Sequence, residues 1–282
     1  MRARSALFEL YGDHLRTRGA AAPVAGLVRL LEPLDIAAPA VRTAVSRMVR
    51  EGWLTPVQLP DGRGYALTAY AAARLEEAAE RVYRTRDMPT WDRRWHIVTT
   101  GPTGQRSARE RLRSGMSFIG YAALDEATWI SPRTHPDVEG LLRAAGVDAH
   151  SFVAVHSGDS ASLVRRAWDL DALAAAYRQW QASATALVAA AGPEADDRTQ
   201  YAVRCRLLHE WRLFLFRDPG LPRPLLPARW PGDDAATFFD RESARLLPAA
   251  HRFVDDCLPQ RPHAPRATVT PPEPRRAGLE AR

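Results

Sequence analysis

Five polar side chains on one short stretch are the most chemically specific feature of the sequence. Between Pro39 and Gly52, Arg42, Thr43, Ser46, Arg47 and Arg50 recur at helical spacing, and Glu51 is the only acid, placed at the end. Forked guanidiniums and short hydroxyls donate to phosphate oxygens and to base edges, which is the chemistry of a helix lying in a DNA groove. A solvated helix normally mixes both signs of charge. Opposite these residues, Val41, Ala44, Val45 and Met48 form a narrow apolar stripe that neighbouring elements must cover. Pro39 suits the first turn, where its missing N–H would be unpaired anyway, and Gly52 suits the end. Arg63, within Asp61-Gly62-Arg63-Gly64, is a further cation, placed by the pattern at a hairpin tip. There it faces backbone or minor groove.

His209-Glu210 invites a metalloprotease reading, but that motif needs a second His four residues after the first, and Leu213 holds the position. With Arg212 beside it, His209 reads instead as part of a buried polar network or of a ligand pocket. No Gly-rich phosphate loop, paired-Cys zinc spacing or nucleophile elbow occurs. A metal nuclease on a ferredoxin-like domain wants a carboxylate at the end of its first strand. Trp95-His96-Ile97-Val98-Thr99-Thr100 offers none, although Asp125 and Asp159 lie elsewhere. The sequence predicts no catalyst, no metal and no cofactor.

The elements that must position these groups are set by periodicity. Residues 4–18 read as a helix with Leu7, Leu10, Tyr11 and Leu15 on one face, and 23–31 as a second with Leu27, Leu30 and Leu31 inward. Pro33 to Ile36 forms the turn before the basic helix 39–51, which completes a helix-turn-helix pattern. Two short strands, 53–59 and 65–68, then flank the Asp-Gly turn, so a hairpin lies directly behind the third helix, as in a winged helix. A long helix over 69–85 and a linker at 87–90 close this part.

Beyond it, strand 95–99, basic helix 108–114, strand material over 121–130, helix 136–145 and the apolar run 151–155 alternate in type. This suits a ferredoxin-like sandwich if 121–130 is a hairpin, with 151–155 as a buried strand. From Trp168 the pattern is helical. Asp169 caps a helix with Leu170, Leu173, Ala174 and Tyr177 inward, a buried helix spans 199–216, and a last one spans 235–256. The Pro- and Arg-rich stretch 259–282 holds little apolar content and is expected to be disordered.

The chain of 282 residues is long enough for two or three small domains and carries a formal charge of +6. All its basic residues are arginine. The excess is spread along the chain, so it favours an anionic partner without deciding for nucleic acid. No apolar run reaches the roughly 18 residues of a membrane span. Glu9 and Asp13 interrupt the stretch after Arg2 and Arg4, unlike a signal peptide. Cys205 and Cys257 read as buried free thiols, which suits the cytoplasm.

Seven short motifs, in order along the chain, resemble the PaaX-type repressors of phenylacetate catabolism. They are Phe8-Glu9-Leu10-Tyr11-Gly12-Asp13-His14-Leu15, Val41-Arg42-Thr43-Ala44-Val45-Ser46-Arg47-Met48-Val49 and Trp91-Asp92-Arg93-Arg94-Trp95. Trp129-Ile130-Ser131-Pro132, His209-Glu210-Trp211-Arg212, Asp218-Pro219-Gly220-Leu221-Pro222 and Trp230-Pro231-Gly232 complete the set. Glu9, His14, Arg94 and Trp211 depart from the Asp, Tyr, Gly and Tyr expected there. The resemblance implies an α+β chain: a winged helix-turn-helix over 1–88, a ferredoxin-like (Cas2-like) domain over 91–160 and a helical domain over 165–258. It also implies a homodimer that binds double-stranded operator DNA and is released by an aryl acyl-CoA such as phenylacetyl-CoA. Trp168, His209, Trp211 and Arg212 are the candidate effector residues, since an adenine-bearing phosphate ligand needs aromatic surface and guanidinium forks. The rival readings are a metal-dependent nuclease or CoA thioester hydrolase fused to a winged helix, and a winged-helix module that binds protein.

Overall fold

The computed structural model describes residues 1–60, 62–84, 90–102, 105–192 and 194–258. The predicted tail 259–282 and most of the linker 87–90 lie outside the described residues.

The first predicted helix divides into α1 (Ala3–Leu10), a π-helical turn over Tyr11–Leu15 and a 3-10 turn over Arg16–Arg18. Its apolar face is as expected: Leu7, Leu10, Tyr11 and Leu15 are buried. A short strand, β1 (Ala21–Pro23), precedes α2 (Val24–Leu31), and a 3-10 turn leads to α3 (Ala38–Arg50). Then come β2 (Leu54–Leu59), β3 (Gly62–Leu67) and α4 (Ala69–Arg84).

β1 was not expected, because Ala-Ala-Pro carries no β-branched residue; it forms through its partner. The sheet order is β1-β3-β2, with Ala22 opposite Tyr65. Gly64 makes this approach possible: a Cβ there would lie 2.3 Å from Leu59 Cδ1 and 2.9 Å from the Ala22 carbonyl oxygen. The register pairs Leu59 with Gly62 and Gln58 with Arg63. Arg63 therefore stands inside β3, one pair back from the end, rather than at the tip.

The central part runs β4 (Arg94–Thr100), α5 (Arg106–Phe118), β5 (Ala122–Ala123), β6 (Thr128–Ser131), α6 (Val138–Ala145) and β7 (Ala149–Val155). Its sheet has the order β5-β6-β4-β7, every pair antiparallel. The 121–130 region is thus a hairpin. Strand alternation sorts the side chains: Val98 and Trp129 pack with Leu112, Met116 and Leu142 of α5 and α6. Trp95, Ile97, Ala122 and Ile130 turn the other way, towards the C-terminal helices.

β7 departs from expectation. An apolar, β-branched run identifies a strand but not its place in the sheet, and β7 is an edge strand paired with β4 alone among the described residues. Phe152, Val153 and Val155 are 54, 58 and 70% exposed.

Four helices complete the described chain: α7 (Ser160–Ala167), α8 (Leu170–Ala189), α9 (Asp197–Arg212) and α10 (Pro231–Cys257). Asp169 caps α8 as predicted, accepting from the Ala172 N–H. The Asp159 carboxylate does the same for α7, a helix the periodicity did not single out. The predicted helix 199–216 begins earlier, after its cap Asp196, and passes into a 3-10 turn at Leu213. α10 starts at Pro231, which serves the first turn.

Packing does not keep to chain order. Tyr201, Ala202 and Cys205 of α9, with Ala250, Val254 and Cys257 of α10, complete the core of α1, α2 and α3. α8, α9 and α10 also contribute to the core beneath the central sheet. Both cysteines are buried free thiols.

Candidate nucleic-acid interface

α3 is fixed by its apolar stripe, with Val41, Val45 and Met48 buried against α1 and α2. Its N-cap is Ala37, which offers no side-chain acceptor, so Pro39 and packing hold the first turn. Gly52, at φ +75°, ends the helix in the left-handed conformation that favours glycine. The stripe leaves Arg42, Thr43, Ser46, Arg47 and Arg50 exposed together on the outer face.

One of these cations is already engaged. The Arg47 Nε donates to Glu51 Oε1 at 2.9 Å, while Arg4 Nη2 lies 2.6 Å from Glu51 Oε2. Glu51 is thus shared between α1 and α3, and the one acid near the face is neutralised twice. Arg63 is also exposed, its guanidinium 5.8 Å from the Tyr65 ring centroid. The hairpin that carries it is tied to the helices: Tyr11 OH donates to the Tyr65 carbonyl at 2.8 Å, and Thr68 OH to the Gly52 carbonyl at 2.7 Å. Burial pushes the Tyr11 hydroxyl far above its ordinary pKa, so it stays a donor.

A second polar cluster joins α1 to α9. His209 Nδ1 lies 2.6 Å from Glu9 Oε1. Arg204 ion-pairs with Asp13 and donates through Nε to the Ser243 carbonyl at 3.1 Å. Burial raises the Asp13 carboxyl, but the Arg204 hydrogen bond and charge, with His14 and Arg212, more than reverse this and leave its pKa below the usual value. His14, 1% exposed, is pushed down to about 4, chiefly by burial, so it is neutral at pH 7. His209 is partly buried in a polar contact, and its partner comes from α1 rather than from its own helix. Periodicity did not mark Glu9, Asp13 or Arg204; the available signal was two acids and a histidine in a largely apolar segment, 8–15.

The four candidate effector residues do not gather at one place. His209 and Arg212 lie on the α9 face towards α1; a Cβ on Gly12 would be 3.9 Å from Arg212 Nη2. Trp211 is 7% exposed and stacks on Phe239 at 4.7 Å, with Trp180 at 4.9 Å. It is part of the packed core. Trp168 lies just after α7 and stacks on Trp95 of the central sheet, 6.2 Å away.

Among the described residues, no three His, Cys, Asp or Glu side chains group as a metal would require, and no helix is long and apolar enough to cross a membrane.

Comparison with known proteins gives a consistent match along the chain. Three family models fit in order: PaaX-like protein at residues 2–71, PaaX protein central Cas2-like domain at 88–164 and PaaX-like protein C-terminal domain at 168–256. The Transcriptional repressor PaaX of Escherichia coli (strain K12) is 29% identical over 263 residues, covering 89% of this chain and 83% of that protein. Among solved structures, uncharacterized protein Rv0674 from Mycobacterium tuberculosis superposes with a TM-score of 0.60. That match covers 89% of this chain and 98% of that one at 24% identity, a likeness of fold alone. Successive family matches, the basic face of α3 and the Cas2-like sheet agree from one end to the other, and the chain belongs to the PaaX family.

Proposed function

We propose that this chain is a DNA-binding transcriptional repressor that works as a cytoplasmic homodimer, with residues 1–88 as a winged helix-turn-helix. The observation that carries this reading is the outer face of α3, where five donors stand exposed together; Arg63 is a further exposed cation, on β3. The similar E. coli protein is named a transcriptional repressor, which supports the same role here. Arg42, Thr43, Ser46, Arg47 and Arg50 enter the major groove, and Arg63 meets the backbone or minor groove. No catalytic step is required; regulation results from occupancy of the operator.

The regulated genes are those of aromatic, phenylacetate-type catabolism, and an aryl acyl-CoA such as phenylacetyl-CoA is the releasing ligand. Of the candidate effector residues, Arg212 and His209 supply polar groups on α9, Trp168 supplies an aromatic face near the sheet, and Trp211 is reached only if the core opens. Such a ligand acts by favouring a dimer geometry with the wrong half-site spacing, with a coupling of about 1–3 kcal/mol.

The test is a binding titration of the full chain on promoter DNA from its own gene neighbourhood. Arg47→Ala should cost about 1–3 kcal/mol on the operator if Arg47 reads a base edge. Unchanged affinity on every DNA would remove α3 from the interface. Phenylacetyl-CoA, and neither free phenylacetate nor free CoA, should lower operator affinity, and operator must weaken thioester binding by the same factor. Cleavage of DNA with divalent metal, or hydrolysis of the thioester, would favour the enzyme readings instead.

A further inference from the structure

Glu51 stands where three effects act against an acid. It is the C-cap of α3, at the negative end of the helix dipole. It is exposed beside a basic face that is to meet phosphate, which repels it. Its i,i+4 pair with Arg47 has the carboxylate on the C-terminal side, the weaker order, and an exposed pair adds little to stability. Neither folding nor bulk attraction to a polyanion accounts for this residue.

What the carboxylate does is fix geometry. Its Oε1 accepts from Arg47 Nε at 2.9 Å, and its Oε2 lies 2.6 Å from Arg4 Nη2. Arg4 is held in turn. Its guanidinium lies 5.5 Å from the Phe8 ring centroid, and Phe8 meets Trp53 edge-on at 4.6 Å. The Glu51 N–H also donates to the Arg47 carbonyl at 3.0 Å, just before the chain turns away at Gly52. Both carboxylate oxygens and the backbone are therefore tied. A guanidinium bonded through Nε keeps its end-on pair of Nη groups. Those of Arg47 have no partner among the described residues, and the side chain is 63% exposed. Arg42 and Arg50, on the same face, make no ion pair among the described residues, so nothing fixes their heads.

We propose that Glu51 is a positioning residue for base readout, holding the Arg47 fork for one guanine in each half-site. This rests on the DNA-reading role proposed above. Guanine offers O6 and N7 in the major groove, the two acceptors that an end-on guanidinium spans. A long arginine gives up rotamer freedom when it binds, and one that is already fixed gives up less. The matched base gains from this and a mismatched one does not. The same carboxylate repels phosphate where the fork finds no guanine, which lowers affinity for wrong sequences.

Titrations of the full chain on promoter DNA from its own gene neighbourhood, and on single base-pair replacements of that duplex, test this. In the wild type, replacing the guanine that Arg47 reads should cost about ten-fold or more in affinity, and Arg47→Ala should erase that one preference. Glu51→Ala should cut the preference at the same base pair by about three-fold or more, while affinity for a generic duplex rises. Circular dichroism and the urea midpoint should stay at wild-type values. Glu51→Gln, whose amide oxygen still accepts from Nε, should retain more of the preference. In the Arg47→Ala background, Glu51→Ala should no longer change the discrimination profile. A merely structural Glu51 would lower affinity on every duplex together with the urea midpoint, and a purely repulsive one would raise it on every duplex by one factor. Either result, or a Glu51→Ala profile identical to wild type, overturns the proposal and leaves DNA reading standing. So does an Arg47→Ala chain that is weakened on all duplexes alike, since Arg47 is then a phosphate contact. A wild-type chain that binds no duplex overturns the DNA-reading role and this inference with it.

Discussion

Replacing His14 with leucine should flatten the acid dependence of stability by a calculable amount. In the native chain the ring is buried beside Asp13, with Nε2 3.2 Å from Oδ2; His251 meets it edge-on at 5.8 Å and Tyr201 lies tilted against it at 5.7 Å. Burial is the main reason its pKa falls to about 4; Arg204, His251 and Arg18 push the same way, and Asp13 opposes them. The unfolded chain has an ordinary histidine near 6.5. The folded pKa is depressed, so this contribution is complete above the unfolded value and is lost as pH falls through the folded one. Between pH 7 and pH 5 the unfolded state takes up a proton that the native state refuses, and the loss is roughly 2 kcal/mol. Urea unfolding at the two pH values, wild type against His14→Leu, should show the variant's stability falling by about that much less. Asp13 titrates below this window, and Asp218, which burial raises, is common to both proteins. Equal pH slopes, or an NMR titration of His14 near 6.5, would refute the reasoning.

The geometry sets three further outcomes. Arg63→Ala should lower DNA affinity with little loss of sequence discrimination and reduce the salt slope by about 1; an unchanged slope would take the hairpin off the DNA. Gly120 has φ +89°, and a Cβ there would lie 2.7 Å from the Pro219 carbonyl oxygen. Gly120→Ala should therefore destabilise by more than about 1 kcal/mol, measured by thermal or urea unfolding. Tyr177 OH donates to Asp218 Oδ2 at 2.5 Å inside the aromatic core. Tyr177→Phe should cost about 1–3 kcal/mol at pH 7, and less in acid, where the buried Asp218 takes a proton and needs the donor less.

What the sequence made legible was local. Helical stripes such as Leu27, Leu30 and Leu31 report burial directly, because one face of a helix must be covered and the residues that cover it are spaced by the helix itself. Asp169 is read from the same local chemistry as a cap, and 121–130 as strand material, which the structure folds into a hairpin. The features that escaped depend on partners far away in sequence. β1 exists only because β3 lies beside it, and Gly64 is what lets it close. Phe152 and Val153 have the composition of a core strand, but position in a sheet is decided by what pairs with the other edge. The ion pair of Asp13 with Arg204 spans 191 residues, and no spacing rule reaches that far. For the candidate interface, the identity of the donors was legible and their common exposure was implied by the stripe behind them. The effector candidates were drawn from residue type alone, and the fold puts His209 and Arg212 on the α9 face towards α1, Trp211 in the packed core and Trp168 beside the central sheet.

α9 and α10 help to form the core of α1, α2 and α3 as well as the core under the central sheet, so the same two helices brace α3 and the sheet. The connection is mechanical: Glu9 against His209 and Asp13 against Arg204 pin one end of a stiff arm whose other end is the sheet. In an arm of this kind a small tilt at the far end is not absorbed along the way but emerges as a sideways displacement of α3, larger in proportion to the length of the arm. Two such arms joined about an axis would space their reading helices by an angle alone. A ligand would then need only to change that angle, not to unfold or reshape the exposed face of α3.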